Sequence, residues 1–120
     1  GFLHFVDRVK DMIVSGGLNI YSKEVELALV AHPAVADAAV IGVPDPEFGE
    51  SVMAFVEREA GAPTASVDLI EHCREHIASY KKPKYIRFVE TLPRTATGKV
   101  RKKELRQRVA AEAQSIQTER

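Results

Sequence analysis

Apolar residues along this chain recur at two spacings, which predict strands separated by helices. Short runs that alternate or cluster are typical of half-buried and fully buried strands. These runs predict strands at Phe2–Val6, Val9–Val14, Val35–Val43, Ser51–Glu57 and Tyr85–Glu90. The first two come before the turn Ser15-Gly16-Gly17, so we expect two short strands or a hairpin that ends at this turn.

Three other segments place their apolar residues on one side of a helix. The predicted helices begin at Ser22, carry the stripe Leu69, Ile70, Cys73 and Ile77, and span Lys102–Ala113. We expect Ser22 to cap the first helix and Cys73 to be a small core residue, whereas residues 114–120 should fray. The fold class is therefore predicted to be α+β, with a small central sheet, an N-terminal short hairpin and about three packed helices.

The composition is that of one soluble globular domain. Of the 120 residues, 45% are hydrophobic and 28% are charged, and Cys73 is the single cysteine, which excludes an internal disulfide. No apolar run is long enough to cross a membrane. We expect a cytoplasmic protein without a transmembrane segment, and peripheral attachment of the full-length protein to a membrane stays open.

The charges are unevenly spread although they sum to zero. Residues 1–79 carry 5 Lys or Arg and 13 Asp or Glu, a balance of −8, whereas residues 80–108 carry 11 against 2, a balance of +9. Such a run is usually a solvated face, and the alternative is a docking surface for an anionic ligand or an acidic domain. Nucleic acid is not expected as a partner, because the segment has few aromatic residues and no nucleic-acid motif. A stand-alone basic module is the alternative, and its binding would weaken steeply with salt.

The strongest candidate for chemistry is Lys99, which follows Gly98 near the C-terminus. A glycine adds little bulk, so the lysine ammonium can reach an anion from a tight turn. The hydroxyls of Thr95 and Thr97 can steady such a loop or contact phosphate oxygens. The pattern predicts a mobile cation on a C-terminal turn.

Two further patterns are weaker. The turn Ser15-Gly16-Gly17 is too short for a dinucleotide-binding fingerprint and favours a turn with positive φ. His72 and His76 match the H-x-x-E-H spacing of one metalloprotease group, but no third ligand is evident downstream. We interpret them as two half-exposed histidines on an amphipathic helix and expect no metal site.

Seven motifs, taken in order, resemble the C-terminal domain of acyl-CoA synthetases, which belong to the adenylate-forming superfamily. They are Asp7-Arg8-x-Lys10-Asp11, Ser15-Gly16-Gly17-x-Asn19-Ile20, Glu24-Val25-Glu26, His32-Pro33-x-Val35, Pro44-Asp45-x-x-x-Gly49-Glu50, Tyr80-Lys81-x-Pro83-Lys84 and Leu92-Pro93-Arg94-Thr95-x-Thr97-Gly98-Lys99. The resemblance runs from residue 1 to about residue 109 and looks closest to fatty-acyl and aryl-CoA ligases.

The resemblance implies an acid–thiol ligase with ATP and CoA as substrates. A carboxylic acid first forms an acyl-adenylate with ATP, and the CoA thiol then forms the thioester, with a domain rotation between the steps. Residues 1–120 would be the single mobile C-terminal domain, and its first partner would be its own N-terminal domain. That absent domain would bind ATP, the acid and Mg²⁺, so the isolated chain is expected to be inactive. An adenylation domain that loads a carrier protein is the alternative.

The resemblance also assigns roles to single residues. Lys99 would be catalytic in adenylation, with Thr95, Thr97 and Gly98 supporting its loop, and Lys10 would be the hinge. Nucleotide or CoA would be bound by Arg8, Ser15, Gly16, Gly17 and Arg74. Arg8 would lie near the ribose and phosphate, the glycine turn would let the pantetheine arm pass, and Arg74 would meet the CoA nucleotide phosphates.

Overall fold

In a computed structural model of the protein, the described residues are 12–59 and 64–119, and side chains are described as far as residue 112. The predicted strand Phe2–Val6 and the expected site residues Arg8 and Lys10 lie outside these ranges.

The described residues form five strands and three α-helices, which confirms the predicted α+β class. The strands are β1 (Met12–Ser15), β2 (Leu18–Tyr21), β3 (Val35–Asp45), β4 (Gly49–Arg58) and β5 (Tyr85–Val89). The helices are α1 (Ser22–Val30), α2 (Ser66–His76) and α3 (Lys102–Glu119), and a short 3₁₀ helix spans Ser79–Lys81.

The centre of the sheet is a long antiparallel hairpin of β3 and β4, which runs from the pair Asp45–Gly49 to the pair Val35–Arg58. On its other edge β4 is shared: β5 pairs with it in parallel over Met53–Glu57, and β1 meets it at Gly49. Strand β2 pairs with β1 at the edge of the sheet. The sheet is therefore mixed, with one parallel pair.

Both faces of the central hairpin are covered, which explains why β3 and β4 are nearly continuous apolar runs. On one face, α1 and α2 contribute Leu29 and Leu69 to a core that also contains Val40. On the other face, Phe55 packs with Leu105 of α3 and with the preceding loop. Cys73 is fully buried in the first core, as predicted.

The glycine turn lies within a short N-terminal hairpin. The strand before it ends at this turn, as predicted, and the turn connects it to β2, a strand that the sequence pattern did not predict. Gly16 and Gly17 have φ of 57° and 81°, as expected for a turn that needs positive φ. Two consecutive residues with positive φ match the twist of the flanking strands, so they favour a tight hairpin at this position.

Two helix ends also differ from the prediction. Ser22 is the first residue of α1, and Tyr21 occupies the N-cap position without a side-chain hydrogen bond. Because β2 runs directly into α1, Ser22 is buried, and its hydroxyl accepts a hydrogen bond from Lys102 Nζ at 3.1 Å. Helix α3 continues beyond Ala113 to Glu119, while fraying of the tail stays a prediction.

Candidate functional site

Residues 94–100 form a tight turn, called here the lysine turn. Arg94 and Val100 pair in an antiparallel bridge that closes its base. Within it, the Thr95 amide donates to the Lys99 carbonyl at 2.7 Å and the Gly98 amide donates to the Thr95 carbonyl at 2.9 Å. Gly98 has a φ of 91°, which glycine adopts without strain. The glycine before the lysine is thus required by the backbone of the turn.

The two threonine hydroxyls are used inside the lysine turn. Their Oγ1 atoms are 3.0 Å apart, and the Lys99 amide donates to Thr95 Oγ1 at 3.3 Å. Hydroxyls that bond to nearby backbone groups favour turns over regular structure. The geometry therefore agrees with a supporting position for Thr95 and Thr97.

Arg94 anchors the base of the lysine turn to the central hairpin. Its guanidinium contacts Glu57 Oε2 at 3.0 Å and Asp37 Oδ2 at 2.5 Å. The Leu92 amide also donates to Glu57 Oε2, and the Leu92 side chain is buried. The hydrogen bonds to Glu57 and then to Asp37 raise the pKa of Arg94, so the anchor stays charged. One planar fork thus fixes the turn to β3 and β4.

Lys99 itself is exposed, and within residues 12–59 and 64–112 its ammonium makes no ion pair or hydrogen bond. Other basic residues of the same segment are paired, for example Lys84 with Asp45 at 3.0 Å and Lys81 with Glu24 at 2.9 Å. Because Lys99 has no partner in this part of the molecule, its ammonium is available to bind an anion that belongs to a ligand or to another domain.

The second site is the glycine turn, Ser15–Gly17, which lies against the β3–β4 turn. The Gly16 amide donates to the Phe48 carbonyl at 2.8 Å, and a Cβ added at Gly16 would lie 3.3 Å from Phe48 Cδ1. A cleft of about 390 Å³ opens beside this contact, and its wall includes Gly16, Phe48, Ser51, Tyr80 and Lys84. The turn therefore offers a backbone surface, with two lysines, Lys82 and Lys84, at the cleft.

The β3–β4 turn is organised by Asp45, which sequence reasoning did not select. Its Oδ1 accepts the amides of Glu47 at 2.8 Å and Phe48 at 3.0 Å, and its Oδ2 accepts Ser51 Oγ and Lys84 Nζ. The Ser51 hydroxyl, the two amides and Lys84 together hold the pKa of Asp45 well below its ordinary value. An aspartate between prolines was the available signal, since aspartate favours turns of this kind.

The lysine turn and the glycine turn are at opposite ends of the central hairpin. Arg94 is anchored on Asp37, near the start of β3, whereas the glycine turn contacts the β3–β4 turn that begins at Asp45. These positions are eight residues apart on one strand, or roughly 26 Å at the usual rise per residue. The two turns are therefore supported from opposite ends of the same strand.

Arg74, expected to meet CoA phosphates, lies on α2 and is half exposed. It forms an ion pair with Glu71 at 2.7 Å, three residues earlier on the same helix. It is not among the residues that line the cleft beside the glycine turn. The structure therefore brings Ser15, Gly16 and Gly17 together at one site but does not bring Arg74 to the same cleft.

The histidines of α2 bond to backbone carbonyls. His72 Nε2 lies 2.8 Å from the Ala28 carbonyl, and His76 Nδ1 lies 2.8 Å from the His72 carbonyl. In the ranges that the structure describes, no three His, Cys, Asp or Glu side chains are arranged to hold a metal ion. Burial raises the pKa of the Cys73 thiol between them to about 11, which suits a core residue.

A family model for the C-terminal domain of AMP-binding enzymes matches residues 24–99 of this chain. The matched range includes β3, β4 and the lysine turn up to Lys99, which is more than half of the chain. The chain belongs to this family.

Individual relatives agree with this assignment. The peroxisomal trans-cinnamate:CoA ligase of Petunia hybrida is 45% identical over 107 residues, which are 89% of this chain and 19% of the relative. A fatty acyl CoA synthetase from Mycobacterium tuberculosis superposes with a TM-score of 0.82 at 40% identity, covering 88% of this chain and 21% of that one. The amide bond synthetase McbA from Marinactinospora thermotolerans superposes with a TM-score of 0.79 at 40% identity, covering 84% and 20%.

The resemblance read from the seven motifs is confirmed at the level of the AMP-binding C-terminal domain. The chain spans about a fifth of the length of the relatives it matches. None of the helices in the described ranges has the length and apolar character that crossing a membrane requires.

Proposed function

We propose that this chain acts as the mobile C-terminal domain of an ATP-dependent acyl-CoA ligase for a fatty acid or a related carboxylic acid. The observation that carries the proposal is Lys99, an exposed ammonium without a partner among the described residues, on a turn anchored to the sheet. The name of the Petunia relative, a CoA ligase, supports the same reaction class.

In the proposed first half-reaction, the carboxylate attacks the α-phosphate of ATP, and acyl-adenylate and pyrophosphate form. Lys99 would bridge the carboxylate and phosphate oxygens, where negative charge develops. A preorganised cation at that position stabilises the transition state electrostatically, and its loss commonly costs about 10²–10³ in rate. Mg²⁺, expected to accompany ATP, would be bound by the N-terminal domain of the enzyme.

In the proposed second half-reaction, the CoA thiol attacks the adenylate carbonyl, and the thioester and AMP form. The glycine turn would then face the site, and its lack of side chains would let the pantetheine arm pass. The supports of the two turns, Asp37 and Asp45, lie roughly 26 Å apart along β3, which supports a rotation between the steps. Lys10 as hinge, Arg8 near the nucleotide and Arg74 near the CoA phosphates remain parts of the proposal that rest on resemblance.

CoA is proposed as the acceptor instead of a carrier protein or another nucleophile. The relatives named as CoA ligases and synthetases favour it. The amide bond synthetase has the same fold at similar identity, so the fold of this domain does not by itself select the acceptor. Thioester formation with CoA and with a pantetheinylated carrier protein should be compared directly, and faster transfer to the carrier would favour the alternative.

The test of the proposal is Lys99→Ala in the full-length enzyme, with both half-reactions measured separately. Adenylation of the best acid from a panel of fatty and aryl acids should fall by about 10²–10³-fold. Thioester formation from supplied acyl-adenylate should stay near the wild-type rate. Lys103→Ala is the matched control, because Lys103 is another exposed lysine without a side-chain partner in the described ranges.

The rates of the two half-reactions in Lys99→Ala distinguish three cases. Loss of adenylation alone supports the first-step role of Lys99 and the rotation. If Lys99→Ala leaves adenylation near the wild-type rate, the proposed function is wrong and the domain is a binding module. If both half-reactions fall equally, the division of roles between the two turns is wrong.

A further inference from the structure

Asp45 lies at the end of β3, where the central hairpin turns back into β4. Its side chain is only 5% exposed, and both carboxylate oxygens are used. Oδ1 accepts the amides of Glu47 and Phe48, and Oδ2 accepts Ser51 Oγ and Lys84 Nζ. A buried carboxylate is stable when its oxygens are satisfied in this way. The residue therefore acts as a junction between a turn, a strand and the segment before β5.

The glycine turn is attached to this junction through Phe48. The Phe48 amide donates to Asp45 at 3.0 Å, while the Phe48 carbonyl accepts the Gly16 amide at 2.8 Å. Both backbone polar groups of Phe48 are thereby fixed between the aspartate and the glycine turn. The adjacent Gly49, with a φ of 84°, pairs with Ser15. A displacement of the β3–β4 turn would therefore be passed directly to Gly16.

Asp45 also sets one wall of the cleft without lining it. Three of its partners, Phe48, Ser51 and Lys84, line the cleft beside the glycine turn, whereas Asp45 does not. Lys84 Nζ lies 3.0 Å from Asp45 Oδ2 and 5.7 Å from the centre of the Phe48 ring. The Lys84 side chain is about half exposed, so without the carboxylate it would sample several rotamers in solvent.

We propose that Asp45 is a positioning residue for the second half-reaction, because it holds the glycine turn and Lys84 in the arrangement that receives the thiol acceptor. This inference rests on the proposed function, in which the glycine turn faces the site during thioester formation. The lysine turn is anchored on Asp37 and Glu57 at the other end of the hairpin, so adenylation does not depend on Asp45.

Substitutions of Asp45 can separate its hydrogen bonds to the Glu47 and Phe48 amides from its ion pair with Lys84. Asparagine keeps a carbonyl oxygen that can accept the Glu47 and Phe48 amides, but it lacks the charge that pairs with Lys84. Alanine removes both sets of contacts. Glu47→Gln is the matched control, because it removes a carboxylate from the same turn, and the Glu47 side chain is exposed without a partner in the described ranges.

The experiment measures both half-reactions of the full-length enzyme, with CoA as the acceptor. For Asp45→Ala we expect kcat/KM for CoA in thioester formation to fall about tenfold or more, and for Asp45→Asn a smaller loss, as misplaced contacts lower reactivity steeply. Adenylation should stay within about twofold in both variants, and Glu47→Gln should match the wild type in both half-reactions. Ser51→Ala, which removes one bond to Asp45, tests the same link if Asp45→Ala does not fold.

An equal loss of both half-reactions in Asp45→Ala would show a general structural role and overturn the inference. Unchanged thioester formation in folded Asp45→Ala, or in Ser51→Ala if that variant is the one that folds, would also overturn it. The Lys99→Ala enzyme, assayed in parallel, keeps the two proposals distinct. Unchanged adenylation there contradicts the proposed function, whereas a normal Lys99 result with a failed Asp45 result contradicts only this inference.

Discussion

The lysine turn and the glycine turn are both tight and both attached to the central hairpin, but they expose different chemistry. The lysine turn presents one exposed side chain, Lys99, on a base that Arg94 fixes to Asp37 and Glu57. In the glycine turn, Gly16 and Gly17 present backbone alone, and a hydrogen bond from Gly16 to Phe48 holds the turn in position. The lysine turn thus presents a positive charge at one end of the hairpin, and the glycine turn presents a backbone surface without bulky side chains at the other end.

This difference accounts for how one small domain could serve the two proposed half-reactions. A cation can stabilise developing negative charge only if the base of its turn holds it in position, whereas a backbone surface can admit a ligand only if its conformation is maintained. The lysine turn therefore depends on the ion pairs of Arg94, and the glycine turn depends on its contact with Phe48. Substitutions in the supports should therefore affect opposite half-reactions.

The largest effect after Lys99 itself is expected at the base of the lysine turn. Arg94→Leu removes both ion pairs and leaves the carboxylate of Glu57, only 15% exposed, with the Leu92 amide but without its charged partner. Unfolding free energy should fall by about 1–3 kcal/mol. Adenylation should fall by up to about 10²-fold, because a small displacement of Lys99 misplaces the charge.

Arg94→Lys is the matched variant for this prediction. Lysine keeps the charge but cannot reach both carboxylates with one planar fork, so an intermediate loss is expected. Urea unfolding and the two half-reactions are the measurements. Equal loss of thioester formation in Arg94→Leu would contradict the separation of the two turns.

Added methyl groups at glycines of the two turns should act on opposite half-reactions. Gly16 and Gly98 have φ of 57° and 91°, so alanine costs about 1–2 kcal/mol of backbone strain at either position. At Gly16 the new Cβ would also lie 3.3 Å from Phe48 Cδ1, whereas at Gly98 it would meet nothing within 4 Å.

We expect Gly16→Ala to lower thioester formation and Gly98→Ala to lower adenylation, each roughly tenfold if the strain appears fully in the transition state. Gly17→Ala is the control for Gly16, because its φ of 81° imposes strain while its Cβ would have open space. If Gly16→Ala and Gly98→Ala lowered the same half-reaction, the two turns would not have separate roles.

The support of the glycine turn should also respond to acid. The pKa of Asp45 in the folded protein lies below 3.8, its ordinary value. The ionised carboxylate therefore contributes its full stabilisation at pH values above 3.8, and this stabilisation is lost as the pH falls towards the folded pKa. The difference in unfolding free energy between wild type and Asp45→Asn should be constant from about pH 7 to about pH 5 and should narrow below about pH 4. Urea unfolding across this range measures it, and a difference that grows in acid would contradict the sign.

Much of the fold could be predicted from apolar periodicity, because β3, β4 and the stripe of α2 follow local patterns. The boundaries of the N-terminal hairpin could not, since β1 and β2 have four residues each and too little periodicity to set their partners. Ser22 was misassigned for a related reason: a local capping rule cannot detect burial against Lys102, eighty residues away.

The candidate site divides in the same way. Lys99 and the glycines could be predicted because a cation on a turn and a positive φ are properties of local sequence. Asp37 and Glu57 could not be selected, because both act through Arg94, which lies 57 positions from Asp37 in the chain. Asp45 had a local signal, its place between two prolines, but its ion pair with Lys84 joins residues 39 positions apart. In the sequence alone, an anchoring carboxylate looks like any solvated one.

The smallest expected effect concerns the threonines inside the lysine turn. Thr95 Oγ1 accepts the Lys99 amide at 3.3 Å and contacts Thr97 Oγ1, so Thr95→Val removes two contacts, whereas Thr97→Val removes one. Because a typical hydrogen bond contributes about 0.5–1.5 kcal/mol, Thr95→Val should lower adenylation a few-fold, and Thr97→Val should lower it less. Thioester formation should be unchanged in both. A larger loss in Thr97→Val would mean that this hydroxyl contacts a substrate oxygen directly, which would make it part of the chemistry instead of a support.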